Sequence, residues 1–319
     1  MPPPIAHRIT KYDPADRDER GHYHGPEDTV SDHGPVEAAY LEAIAAFARE
    51  WGIDRLEIRE PGITGITGVV DFGSEAPVAG HGLAGLFPPD LSGYYDGAEV
   101  SVPTALELVR AMLRDEGAWC RLERQDTFTV HVGWDQYVYV GSDRPCAAAV
   151  ARTGELGLFA EPITASPYAA DLEEREVTQA ADEDFWERVR AELAAPKTFL
   201  LEETYLRNAT RWHRLTRNNL DTIRAGLGPR ALLTVWPDLT PDVEAVLAAL
   251  GEDEAVDFVW EGSDGTIRHV AGDEVHDQRL TTLAADARAA CALPLAVDER
   301  HPLFHAALPD RDGVLRARW

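Results

Sequence analysis

Lysine is almost missing from this chain. It occurs only twice in 319 residues, as Lys11 and Lys197, so that nearly all of the 30 basic residues are arginines. Acidic residues number 56, which gives a formal net charge of -26 at pH 7. A charge of this sign opposes long-range attraction to nucleic acids and anionic membranes, and it favours solubility. It does not exclude a local basic site.

Cysteine is also scarce, and several signatures are absent. Cys120, Cys146 and Cys291 are widely spaced and form no C-x-x-C pair, which predicts reduced thiols, a cytoplasmic protein and no zinc knuckle. The N-terminal residues lack the basic and apolar regions of a signal peptide, and no apolar run approaches the length of a membrane span. The G-x-G-x-x-G, P-loop, G-x-S-x-G and H-E-x-x-H motifs are missing. We therefore expect no cofactor, no membrane association and a binding protein rather than an enzyme.

Length and composition indicate two domains. A chain of 319 residues exceeds one average domain, and its 45% hydrophobic content suffices for two cores. Pro162 and Pro167, followed by an acidic run up to Asp184, are typical of a linker. We predict one domain at 1–172 and a second at 173–319. The alternation of helices with hairpins predicts the α+β class, with a mostly antiparallel sheet and packed helices in each domain.

Local patterns predict individual elements. Proline and glycine bound an amphipathic helix over 35–51, and alternating apolar residues predict a three-stranded meander over 119–141. In the second half we expect a hairpin over 256–271, a helix over 275–291 and a closing hairpin over 303–319.

The segment 205–230 is a basic island with six arginines and one acid, Asp221. If it is helical, Arg207, Arg211 and Arg214 share one face, because they are spaced at i, i+4 and i+7. Arginine forks beside flat rings suit phosphates and exposed bases. The predicted nucleic-acid-binding residues are therefore Arg207, Arg211, Trp212, Arg214 and Arg217. The alternative is that these arginines neutralise acidic neighbours within their own domain.

A second candidate is a loop rich in metal-ligand residue types. Its members are His22, His24, Asp28, Asp32 and His33. Imidazole and carboxylate groups suit zinc, manganese or iron. Their order matches no compact metal signature, and turn-rich loops commonly collect such residues. We expect no tightly bound transition metal here.

Two further candidates lie near the meander. Cys146 follows a turn at a predicted helix start, where the helix dipole would lower a thiol pKa, although a cysteine beside alanines is usually a core residue. The second is a possible base-stacking face, for which the alternative is the ordinary polar outer face of an antiparallel sheet. Its residues are His131, Trp134, Asp135, Tyr137 and Tyr139.

Five segments carry a resemblance to a known family. They are RITKYDPADRDERG, EDTVSDHGPVEAAYLEAIAAFA, GAWCRLE, HVGWDQYVYVGSDRPC and the terminal DGVLRARW. They resemble a family of uncharacterised two-domain proteins of high-GC bacteria, some of which carry a generic RNA-binding label. The resemblance implies RNA association as a class and no particular functional residue.

The leading hypothesis is a cytoplasmic, non-enzymatic binding or adaptor protein that associates with RNA through the arginine segment. One alternative is an acidic antagonist or immunity-type protein that binds a basic protein partner. The other is a metal-dependent enzyme that uses the loop from His22 to His33.

Overall fold

The chain folds into six α-helices and three antiparallel sheets within the residues that the structure describes. The structure is a computed structural model. It describes residues 3–20, 22–25, 33–63, 82–133, 137–167, 179–193, 196–250, 256–272, 282 and 284–319. The predicted α+β class is confirmed.

Contacts along the chain divide the described residues into two compact units. The first unit contains those of 3–167 together with Arg318, and the second those of 179–317 together with Trp319. The domain boundary predicted at 172/173 lies outside the described residues and stays a prediction.

The first unit contains a seven-stranded sheet with the order β3-β2-β4-β5-β6-β1-β7. Its strands are β1 Ile5–Thr10, β2 Arg55–Ile63, β3 Glu99–Ser101, β4 Ala118–Arg124, β5 Phe128–Val132, β6 Val138–Ser142 and β7 Phe159–Ile163. Its helices are α1 Pro35–Trp51, α2 Val102–Leu113 and α3 Ala147–Glu155. The predicted meander is present as β4, β5 and β6.

Helix α1 begins and ends where its sequence predicts. Pro35 stands in the first turn, and Gly52 adopts φ 83° at the C-cap, where its N–H is donated to Ala48. Tyr40, Ile44 and Phe47 follow the helical period and are all buried.

The N-terminus of α3 is capped from another helix. Cys146 occupies the N-cap position and makes no side-chain capping bond. The Glu50 carboxylate at the end of α1 accepts the N–H groups of Ala148 at 3.3 Å and Ala149 at 2.7 Å. A negative group there also complements the helix dipole.

Replacing Glu50 with alanine is therefore expected to destabilise α3. The loss should be about 1 kcal/mol, the typical value for a removed N-cap. Hydrogen exchange of the α3 amides measures it, and Glu155→Ala at the other end of the helix is the control. Unchanged protection in α3 after the Glu50 substitution would contradict the capping role.

The second unit contains two smaller sheets. The four-stranded sheet has the order β14-β10-β8-β9 and the three-stranded sheet the order β12-β11-β13. The strands are β8 Phe199–Leu206, β9 Ala209–Leu215, β10 Leu232–Pro237, β11 Val256–Glu261, β12 Ile267–Gly272, β13 Ala289–Pro294 and β14 Phe304–Ala307. The helices are α4 Glu183–Glu192, α5 Leu220–Gly226 and α6 Val243–Ala249.

The two sheets of this unit share one apolar core. Leu200 and Trp236 of the four-stranded sheet cluster with Val259, Ala289 and Leu293 of the three-stranded sheet. Phe258 and Trp260 alternate with Val259 along β11 and therefore lie on its other face. They form a separate cluster with Val243 and Leu247 of α6. The three-stranded sheet therefore packs between the four-stranded sheet and α6.

The arginine segment is not one helix. β8 and β9 form an antiparallel hairpin across it, with a turn at Asn208, which has φ 63°. The segment becomes helical only from Leu220, in α5. Because side chains alternate along a strand, Arg211 and Arg214 point to opposite faces of the sheet. The spacing of the arginines is compatible with a helix, but in the folded protein their side chains do not form a row on one face.

Two other predictions need correction. The helix predicted over 275–291 does not extend to its end, because Ala289 begins β13; residues 273–281 and 283 lie outside the described chain. The closing hairpin is also wrong, because β14 is present but residues 314–319 form no strand. The hairpin over 256–271 is present as β11 and β12.

Candidate functional site

The arginine hairpin borders a cleft of about 320 Å³ in the second unit. One wall is β9, and the other is the β11–β12 hairpin. The lining residues are Thr210, Arg211, Trp212, His213, Arg214, Glu261, Gly265, Thr266 and Ile267. The volume lies at the lower end of the range for ligand pockets. Three of the five predicted nucleic-acid-binding residues, Arg211, Trp212 and Arg214, line this cleft.

Arg214 is held by two carboxylates. Its Nε donates to Asp238 Oδ1 at 3.0 Å, and its Nη1 donates to Glu261 Oε2 at 2.8 Å. Asp238 follows β10 and Glu261 ends β11, so the guanidinium joins the two sheets. An arginine engaged in this way is not available to bind phosphate without first losing an ion pair.

Arg211 points to the other face, where it meets Glu203. Its Nη1 lies 3.7 Å from Glu203 Oε1, and its guanidinium stacks 4.0 Å from the centre of the Tyr205 ring. Glu203 is 1% exposed, lies 2.7 Å from His213 Nε2, and accepts the Gly228 N–H at 2.7 Å. This carboxylate therefore holds β9 and the loop after α5 together.

Trp212 anchors the hairpin. Its ring packs against the apolar core shared by the two sheets and lies 5.7 Å from the His269 ring. Its Nε1 is buried and has no hydrogen-bond partner among the described residues. The indole is thus used in packing, and its exposed part lines the cleft.

The remaining arginines fall into two groups. Arg224 donates to both Glu183 oxygens, at 3.0 and 2.7 Å, and Arg230 donates to Asp310 at 2.7 and 2.9 Å. Arg207, which precedes β9 in the chain, and Arg217, which follows it, are both exposed. Most of the basic island is therefore neutralised by acids of the same unit.

A buried polar cluster lies behind the cleft, and sequence reasoning missed it. His269 Nδ1 lies 2.9 Å from Asp257 Oδ1, and both side chains are buried. Glu202 accepts from Trp236 Nε1 at 2.8 Å and Arg300 Nη2 at 3.0 Å, and burial raises its pKa. Burial also raises the pKa of Cys291 to about 12. Two adjacent glutamates inside the apolar strand β8 are the signal that could have indicated buried partners.

The candidate metal loop does not assemble a ligand set in the described residues. His24 Nε2 lies 3.1 Å and His22 Nδ1 3.4 Å from Asp18 Oδ2. The His22 N–H and the His24 ring lower the pKa of Asp18 to about 2. His33 is exposed next to α1, and Asp28 and Asp32 lie outside the described residues. Within the described chain, no group of three or more His, Cys, Asp or Glu could hold a metal ion.

Cys146 is a buried thiol at the start of α3. Its Sγ lies 3.6 Å from Ser142 Oγ and 3.6 Å from the Arg144 carbonyl oxygen. Burial raises its pKa, against the lowering that a position at a helix N-terminus would suggest. The Glu50 carboxylate already occupies that helix end. The arrangement disfavours a reactive thiolate.

The candidate stacking face of the meander is closed in its described part. His131 and Tyr139 are both buried, and the His131 ring lies 5.6 Å from Trp119. Burial, with a contribution from Arg121, lowers the pKa of His131 to about 3. Tyr137 is half-buried, while Trp134 and Asp135 lie outside the described residues. The described part of this face is packed, and the guanidinium groups of Arg8 and Arg17 lie 5.8 and 5.2 Å from the centre of the Tyr137 ring, so that no open aromatic platform is present there.

In the described residues, no helix is both long and apolar enough to cross a membrane.

Comparison with known proteins adds no relative. No protein-family model matches the chain, and neither a curated protein nor a solved structure gives a match.

Proposed function

We propose that this chain is a non-enzymatic binding or adaptor protein whose partner is a basic protein. The observation that carries the proposal is the internal neutralisation of the arginine segment. Arg211, Arg214, Arg224 and Arg230 all meet carboxylates of the second unit. With 56 acidic against 30 basic residues, the uncompensated charge of the chain is negative. Such a charge accelerates encounter with a cationic partner.

RNA association is the second candidate. It is favoured by the exposure of Arg207 and Arg217 on either side of β9. Affinity for a polyanion depends on the number of phosphates neutralised, and two arginines supply few such contacts. The suggested family resemblance, with its RNA-binding label, belongs to this candidate.

The double substitution Arg211→Ala and Arg214→Ala tests whether these two paired arginines stabilise the fold or bind RNA. We expect a loss of about 1–2 kcal/mol in stability, because Arg214 is only partly exposed and contacts two carboxylates. We expect no change in affinity for an oligouridine RNA. Thermal unfolding and fluorescence anisotropy on the same protein give both values.

Arg217→Ala is the matched control, because Arg217 is exposed and outside the cleft. It should change stability by less than about 0.5 kcal/mol. If the wild type bound the RNA tightly and the double variant lost that binding without losing stability, the proposed function would be wrong.

A further inference from the structure

Two buried carboxylates point into the space between the two sheets of the second unit. Leu200 of β8 and Val259 of β11 pack in the core that these sheets share. Glu202 and Asp257 lie two residues away from them on the same strands, so their side chains lie on the same faces. Glu202 is 5% and Asp257 6% exposed, and the charge of Asp257 acts on Glu202. Each sheet therefore contributes one acid to a region that is closed to solvent.

The same cluster contains one permanent and one titratable cation. Arg300 Nη2 donates to Glu202 Oε2 at 3.0 Å, and an arginine stays protonated in proteins. His269 Nδ1 lies 2.9 Å from Asp257 Oδ1, and an imidazole is a cation only when it carries a second proton. When both acids are ionised and the imidazole is neutral, two anions face one cation. One additional proton makes the cluster neutral.

Among the described residues, the other charged or titratable groups that face this space do not supply the missing positive charge. Arg214 is held by Asp238 and Glu261, which together carry more negative charge than it balances. The Cys291 thiol is neutral, because burial raises its pKa to about 12. His305 on β14 is exposed to solvent. The balance of the cluster therefore depends on its own proton.

The environment of Glu202 favours keeping that proton. Burial raises the pKa of Glu202, with a contribution from Asp257 and against the opposing effect of Arg300. A buried charge without a partner is strongly unfavourable, so the folded protein binds a proton that the unfolded chain releases. Its stabilising effect is complete below the unfolded-state pKa and is lost as pH rises through the higher, folded-state pKa.

We propose that this cluster is a proton-sensitive joint between the two sheets of the second unit. With one proton among Glu202, Asp257 and His269, the cluster is neutral and the sheets stay packed. The proton belongs to the cluster as a whole, because closely coupled groups titrate together. Its loss at higher pH leaves a buried negative charge, and the sheets separate locally so that water reaches it. The joint is independent of the partner that the protein binds.

Amide hydrogen exchange of the full chain between about pH 5.5 and pH 8.5 tests the joint. The quantity to compare is the protection factor, which is the exchange rate relative to that of an unfolded peptide at the same pH. In β8 and β11 we expect protection to fall at least tenfold over this range, since release of one proton lowers it by up to about tenfold per pH unit. Constant protection in both strands overturns the inference.

Glu202→Gln removes one negative charge and keeps an oxygen that can accept from Trp236 Nε1. Its cluster is neutral without the additional proton, so protection in β8 and β11 should stay constant with pH. At the upper pH it should exceed the wild-type value at least tenfold, by about the amount that the wild type loses. Glu187→Gln is the matched control, because Glu187 is exposed on α4 and should keep the wild-type fall.

Asp257→Asn removes the other negative charge and should also abolish the fall, so it decides the question if the Glu202 variant does not fold. A folded variant at either position that keeps the wild-type fall with pH overturns the inference. So does a folded Glu202→Gln protein that is less protected than wild type at the upper pH, because Arg300 would then require a permanently ionised partner.

Discussion

Replacing Glu203 with leucine is expected to lower the free energy of unfolding by about 2–3 kcal/mol, at or below the range for a fully buried ion pair because Arg211 and His213 are about one third exposed. Glu203 is 1% exposed and contacts Arg211, His213 and the Gly228 N–H. Leucine has a similar size, but it accepts no hydrogen bond. The half-buried Gly228 N–H would be left without its acceptor, and Arg211 would lose its carboxylate.

Denaturant unfolding, with hydrogen exchange of β8 and β9, measures this loss. Glu203→Gln keeps an oxygen acceptor for Gly228 and should lose less stability than the leucine variant. Glu187→Leu is the control, because Glu187 is exposed on α4. A Glu203→Leu protein that unfolds at the wild-type denaturant concentration would show that this carboxylate does not hold the hairpin.

The second large effect is expected in the first unit, at Glu37. This residue is 5% exposed on α1. It accepts from Arg110 Nε at 3.0 Å and from Arg114 Nε at 2.6 Å and Nη2 at 3.1 Å, and both arginines belong to α2 or its C-cap. We expect Glu37→Gln to cost about 2 kcal/mol, below the range for a fully buried pair because the arginines are about one third exposed.

This loss should depend on pH. The hydrogen bond from Arg114, opposed by burial, lowers the pKa of Glu37 below its ordinary value. The stabilising effect is therefore complete above the unfolded-state pKa and is lost as pH falls through the lower, folded-state pKa. The stability difference between wild type and Glu37→Gln should shrink below about pH 4.

Denaturant unfolding of both proteins across that pH range tests the dependence. Glu155→Gln is the control, because Glu155 forms an exposed ion pair with Arg152 and should lose less than about 0.5 kcal/mol at every pH. A constant difference between wild type and Glu37→Gln down to acid pH would contradict the ion-pair explanation.

Local patterns in the sequence were sufficient for some elements and not for others. α1 was predictable because its apolar period, its first-turn proline and its terminal glycine all lie within one short segment. The arginine hairpin was not, because spacings of four and three residues occur on strands as well. On the strand, Thr210, Trp212 and Arg214 lie on one face, and Arg211 and His213 lie on the other. The sequence shows no clear apolar alternation there, because charged and aromatic residues occur on both faces.

The candidate site depends on long-range pairing. Asp238 and Glu261 lie 24 and 47 residues from Arg214 along the chain. Which acid meets which arginine depends on the packing of one sheet against the other, and a single sequence does not specify that packing. From the sequence, the arginines of 205–230 could be either exposed for binding or neutralised by nearby acids. Only the fold decides between these two interpretations.

The shortage of lysine has a practical consequence for the two units. Lys11 lies in the first unit and Lys197 in the second, so each unit carries one side-chain amine among its described residues. Lys197 pairs with Glu192, and 51% of its side chain is exposed. An amine-reactive crosslinker therefore has one lysine attachment point per unit. A crosslinked partner would be assigned to one unit by the single modified lysine, without any engineered label.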